Sequence, residues 1–124
     1  MKVEGQDVFF TLCAPIEATA ISVQRIPGGS LDASLWEDAW LAGGTAQFQP
    51  STSLTFGVSP EGMETVLGPN PLLEKNWDVK LVVDGLANDG REINIWGEWQ
   101  TSAYEEGIWY ANGGGHSEDD DPCT

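Results

Sequence analysis

The chain has 124 residues and a mass of 13.4 kDa, the size of a single domain that can bury its own core without metals or a disulfide framework. Its 5 Lys and Arg against 20 Asp and Glu give a formal net charge of −15, which excludes direct binding to a phosphate backbone, because that binding is driven by cationic side chains. The first ten residues carry one base, Lys2, and the acids Glu4 and Asp7, so no signal-peptide apolar region is present, and no run approaches the roughly 20 apolar residues that a bilayer requires.

These features lead to the expectation of a cytoplasmic protein, with association to a virion as the alternative, and with neither membrane nor nucleic acid among its direct partners. The two cysteines, Cys13 and Cys123, sit near opposite ends of the chain. Neither their number nor their spacing matches a disulfide framework or a zinc site, so free thiols are expected. The alternative is a bridge tying the C-terminal tail to an early strand, which needs an oxidising compartment.

In chain order, residues 7–14 (DVFFTLCA) and 19–26 (TAISVQRI) read as two strands joined by a short connection around Pro15. Residues 27–29 (PGG) close that run. Residues 30–42 (SLDASLWEDAWLA) place Leu35, Ala39 and Ala42 at helical spacing and predict a short helix near residues 31–42, capped by Ser30 or by a Ser34–Glu37 capping box. The stretch LWEDAWLA can also be read as a strand. From Thr45 the pattern is extended again, with residues 45–49, 53–58 and 64–67 as short strands, a turn at 59–62 (SPEG) and a loop at 68–71 (GPNP).

The clearest local prediction is a hairpin, in which residues 77–86 and 91–101 flank the turn residues Asn88, Asp89 and Gly90. Val79, Leu81 and Val83 point one way. On the second strand Ile93, Ile95, Gly97 and Trp99 share a face, and Asn94, Trp96 and Glu98 share the other. Residues 107–111 (GIWYA) complete the set. The architecture expected is all-β, a single-domain antiparallel β-sandwich or small barrel of about seven or eight short strands over residues 1–112, followed at 113–124 by an acidic, glycine-rich and flexible tail.

Catalytic chemistry is thinly represented. The one histidine, His116, follows three glycines in the tail, where nothing would hold it against a nucleophile at hydrogen-bond range, and Cys13 reads as a buried thiol in an apolar strand, where its reactivity would be low. No phosphate-cradling glycine loop occurs, the Asp84–Glu92 region has Leu86 where a calcium loop needs a ligand, and Glu98 with Glu105 or Glu106 has nothing in the sequence to make the carboxylates converge as a glycosidase pair. No enzyme activity, cofactor or metal is expected.

Charge and tryptophan remain. Acids dominate residues 26–74 and 92–124, neither of which contains a Lys or Arg, and the chain holds 6 tryptophans. A negative face with aromatic anchors suits a basic partner, since charge steers encounter and aromatic side chains carry binding energy. Trp96, Asn94 and Glu98, with Trp109, Tyr110, Glu105 and Glu106, are the candidate contact residues. Trp99 is assigned to the core, and Trp36 and Trp40 to packing on the sheet. The function expected is a small acidic protein-binding module, of the inhibitor or immunity type, for a basic partner such as a nuclease or nucleic-acid-binding complex. The alternative is a carbohydrate-binding or particle-surface β-sandwich in which Trp96, Trp109 and Tyr110 stack on sugar rings.

Overall fold

The computed structural model describes residues 1–73, 76–101, 105–111 and the backbone of 116–117. It is an antiparallel β-sandwich. The strands are β1 (Lys2–Glu4), β2 (Asp7–Leu12), β3 (Ile16–Pro27), β4 (Glu37–Phe48), β5 (Thr52–Thr55), β6 (Met63–Leu67), β7 (Trp77–Leu86), β8 (Glu92–Gln100), β9 (Trp109–Tyr110) and β10 (His116–Ser117). One sheet has the order β1-β2-β5, the other β6-β4-β3-β7-β8, and β9 pairs with β10. The sheets are open, not a closed barrel.

Alternation in each strand decides which side chains enter the core. In register across the larger sheet, Trp40, Val23, Leu81 and Gly97 form one inner row, and Ala42, Ile21, Val83 and Ile95 the next. Val8, Phe10, Leu12 and Leu54 face them from the smaller sheet as part of the same buried cluster. The rings of Phe10 and Trp99 meet at 5.5 Å between centroids, which fixes the two sheets against each other. Gly97 has a packing reason: a Cβ there would lie 2.5 Å from Cη2 of Trp99, whose indole leans over the glycine and donates from Nε1 to the Tyr110 carbonyl at 2.9 Å.

The helix expected near 31–42 is replaced by a single 3-10 turn at Ala33–Leu35 and then by β4 from Glu37. The cap is neither Ser30 nor Ser34 but Asp32, whose carboxylate accepts from the Ser34 hydroxyl and backbone N–H, bonds that hold its pKa below the usual value. The strand wins because a register shift between Val23 and Gln24 lets Ala39 and Trp40, adjacent in sequence, both be fully buried. A helix would have left the inner row of β3 without a neighbour on that side.

Two further expectations are corrected. Cys13 lies just past the end of β2, exposed rather than buried in an apolar strand, and it is disulfide-bonded rather than a free thiol. Cys123 lies outside the described residues, as does most of the tail at 113–124. Within that tail the backbone of His116 and Ser117 pairs with Tyr110 and Trp109.

Gly62 shows where the fold depends on a missing side chain. Its φ is +91°, and a Cβ would sit 2.1 Å from the Thr45 carbonyl, at the point where Thr45 N–H bonds to Gly62 O and the 57–62 loop rejoins β4. Gly62→Ala is expected to cost about 2–3 kcal/mol in urea denaturation through left-handed strain plus backbone displacement. Gly5→Ala, also at positive φ but with nothing within 4 Å, should cost only about 1 kcal/mol. Equal losses for the two variants would show that the close approach at Gly62 does not matter.

Candidate functional site

The two-residue alternation that sends Val79, Leu81 and Val83 inward turns Lys80 and Val82 onto the outer face of the larger sheet. In-register pairing then assembles a row across all five strands: Leu67 of β6, Leu41 of β4, Ser22 of β3, Val82 of β7 and Trp96 of β8. Neighbouring strands lie about 4.8 Å apart, so the row runs roughly 19 Å from edge to edge. It is apolar except at Ser22. At its ends Trp96 is 56% exposed, Leu67 38%, and Val66, beside Gly43, 73%.

The rows on either side carry the charged and amide side chains. One runs Asp38, Gln24, Lys80 and Glu98, and the other Glu64, Gly43, Ala20, Asp84 and Asn94. They set the carboxylates of Asp38, Glu98, Glu64 and Asp84 against one ammonium, Lys80. That ammonium lies 5.1 Å from the ring centre of Trp36, which therefore stands over the same face. Gln24 Nε2 donates to Asp38 Oδ1 at 3.2 Å, which holds the Asp38 end of the row in place. The site is therefore an apolar stripe, ended by an indole and bordered by carboxylates.

The candidate residues divide. Trp96, Asn94 and Glu98 lie together on this face, as the alternation of β8 predicts. Trp109 does not belong to it: it is 5% exposed, with Lys2 Nζ 4.8 Å from its ring centre, so its assignment as an exposed contact is corrected. Tyr110 is half-buried. Its carbonyl accepts from Trp99 Nε1 and its hydroxyl accepts from the Glu105 N–H at 2.9 Å. Glu105 and Glu106 are exposed in the turn before β9, where Glu106 Oε1 accepts from the Gly5 N–H. Trp96, Trp109 and Tyr110 do line one recess of about 210 Å³, together with Leu81, Ile95 and Trp99.

Sequence reasoning missed Leu41, Leu67, Val66 and Trp36. Each lies beside a partner remote in sequence, and for Leu41 the helical reading hid the β alternation, while Trp36 is placed by its contact with Lys80 of β7. Trp40, assigned with Trp36 to packing on the sheet, is instead fully buried between the sheets, bonded through Nε1 to Thr65 Oγ1 at 3.2 Å.

Among the described residues no group of three or more His, Cys, Asp or Glu could hold a metal ion, and no helix is long and apolar enough to cross a membrane. The class defined by fold and surface is an antiparallel β-sandwich of a three-stranded and a five-stranded sheet, with an acidic-bordered apolar face. Comparison with family models, with curated proteins and with solved structures finds no match for this chain.

Proposed function

We propose that this chain is a small acidic, non-catalytic protein-binding module that holds a basic partner against the outer face of its five-stranded sheet. The observation that carries the reading is the stripe from Leu67 to Trp96 bordered by Asp38, Glu98, Glu64 and Asp84. An exposed apolar row with an aromatic end supplies desolvation energy, and the carboxylates supply attraction and register for cationic side chains. Trp96 is the anchor. Trp96 also borders the recess of about 210 Å³, whose other walls include the inward-facing Leu81, Ile95 and Trp99. A basic nuclease or nucleic-acid-binding complex has this chemistry on the surface that meets phosphate, so the module would act as its inhibitor or immunity-type antagonist.

The test is retrieval of a partner from host lysate on immobilised protein, with washes at low and high salt, followed by titration of the recovered protein. A basic protein retained at low salt should bind Asp38→Asn/Asp84→Asn/Glu64→Gln at least about tenfold more weakly, because exposed charges act within a screening length of about 8 Å. A partner that binds this triple variant as well as the wild type defeats the proposal.

A second reading has an observation of its own. Trp36 and Trp96 stand over one sheet face with Gln24, Asp38 and Asn94 among them, a combination of flat rings and hydrogen-bonding groups that suits sugar stacking. Glycan binding there should barely respond to salt, which separates the two.

A further inference from the structure

At the opposite flank of the sandwich the chain leaves β4, turns through residues 49–51 and enters β5, so one edge from each sheet borders a single groove. The groove encloses about 490 Å³ and is lined by Thr45, Gln47, Ser53, Thr55, Val58 and Glu61, among others. β6 pairs only with Leu41–Gly44 of β4, and among the described residues no strand continues that pairing along 45–48. Among the described residues β5 is the outer strand of its sheet and pairs on one side only, with β2.

The hydrogen-bonding capacity of that edge can be read from the register. Phe56 N–H donates to the Val8 carbonyl, and Phe10 stands opposite Leu54, so the main-chain groups of Leu54 face β2 and those of Ser53 and Thr55 face away. The Thr55 carbonyl accepts from Val58 N–H. The Ser53 N–H and C=O and the Thr55 N–H are left directed outward, the spacing that one further antiparallel strand would use. Behind them Leu54 and Phe48 are buried, while Thr, Ser and Gln side chains cover the rim.

We propose that this groove binds an extended peptide segment of another protein by strand addition to β5, and that the segment alternates apolar and basic residues. Main-chain pairing would supply the affinity, apolar side chains would turn toward Leu54 and Phe48, and basic ones toward Glu61 and solvent. Charge decides the occupant. Glu61 lines the groove, residues 26–74 contain no Lys or Arg to oppose it, and a second copy of a chain with net charge −15 would be repelled from the same edge. The site is separate from the Trp96 face and shares with the proposed function only the positive charge of what binds.

The probe is an acetylated and amidated eight-residue peptide of alternating valine and lysine, titrated into the isotopically labelled protein and followed by NMR. Saturable shifts and slowed solvent exchange are expected at the Ser53 and Thr55 amides, with a dissociation constant of about 0.1–1 mM. They should persist in Trp96→Ala. They should vanish when alternate peptide nitrogens are methylated, and in Ser53→Pro, which removes a donor. If Ser53→Pro does not fold, the methylated peptide carries the same test. Equal shifts from a valine–glutamate peptide would overturn the proposal. So would shifts centred on the Trp96 indole, silent Ser53 and Thr55 amides at millimolar peptide, or protection of those amides by dimerisation without peptide.

Discussion

Trp40→Ala is expected to lower the melting temperature by about 10–20 °C, a larger loss than Gly62→Ala should cause. The residue has no exposed surface, sits in register with Val23 and meets the Phe56 ring edge-on at 5.8 Å. Truncating a buried tryptophan typically costs about 3–5 kcal/mol through lost burial and the cavity that remains, and for a chain of this length each kcal/mol is worth roughly 4 °C. The indole also ties two parts of the fold together. Its Nε1 donates to Thr65 Oγ1, which lies 2.7 Å from Ser59 Oγ, so the loop before β6 is held to β4 through this side chain. Trp40→Phe should restore part of the loss, because it refills most of the volume without the hydrogen bond. Calorimetric scanning of both variants is the measurement, and a fall of less than about 3 °C for Trp40→Ala would mean that the core is not centred on β4.

Trp96→Ala should do the reverse. The melting temperature is expected to stay within about 2 °C of the wild type, since the side chain is more than half exposed and the core lies behind the opposite face of β8. Affinity for the basic partner should fall about 30- to 1,000-fold, the loss expected when an aromatic anchor worth roughly 2–4 kcal/mol is removed. Trp96→Phe should recover much of it, whereas Trp96→Lys should be no better than alanine despite the charge attraction to Glu98. Isothermal titration with each variant reads this directly. A protein that loses stability but not affinity at this position would place Trp96 in the fold rather than in the interface.

The two tryptophans are distinguished by a single fact, the face of the sheet on which each side chain stands, and the sequence reveals that fact for one and not for the other. In the hairpin of β7 and β8 the alternation is unbroken: Val79, Leu81 and Val83 go in, Ile93, Ile95 and Trp99 go in, and Trp96 goes out. A regular strand carries its own inside and outside in its residues, so Trp96 with Asn94 and Glu98 is legible without a structure. In β4 the alternation is interrupted by the register shift at Ala39 and Trp40, and the spacing of Leu35, Ala39 and Ala42 imitates a helix. Local periodicity there points to the wrong element, because burial against Val23 and Leu81 outweighs local preference.

Length, acidity, the antiparallel all-β architecture, the β7–β8 hairpin and the outward face of β8 follow from the sequence, since each is a property of composition or of contiguous residues. The stripe itself does not. Leu67, Leu41, Ser22, Val82 and Trp96 come from five strands, and only the register between segments distant in the chain brings them into one row. The burial of Trp109 beneath Lys2, the bonded state of Cys13 and the shared groove of β4 and β5 arise in the same way. Periodicity within a strand is written in neighbouring residues, whereas contact between strands is decided when the sheets pair and close on a common core.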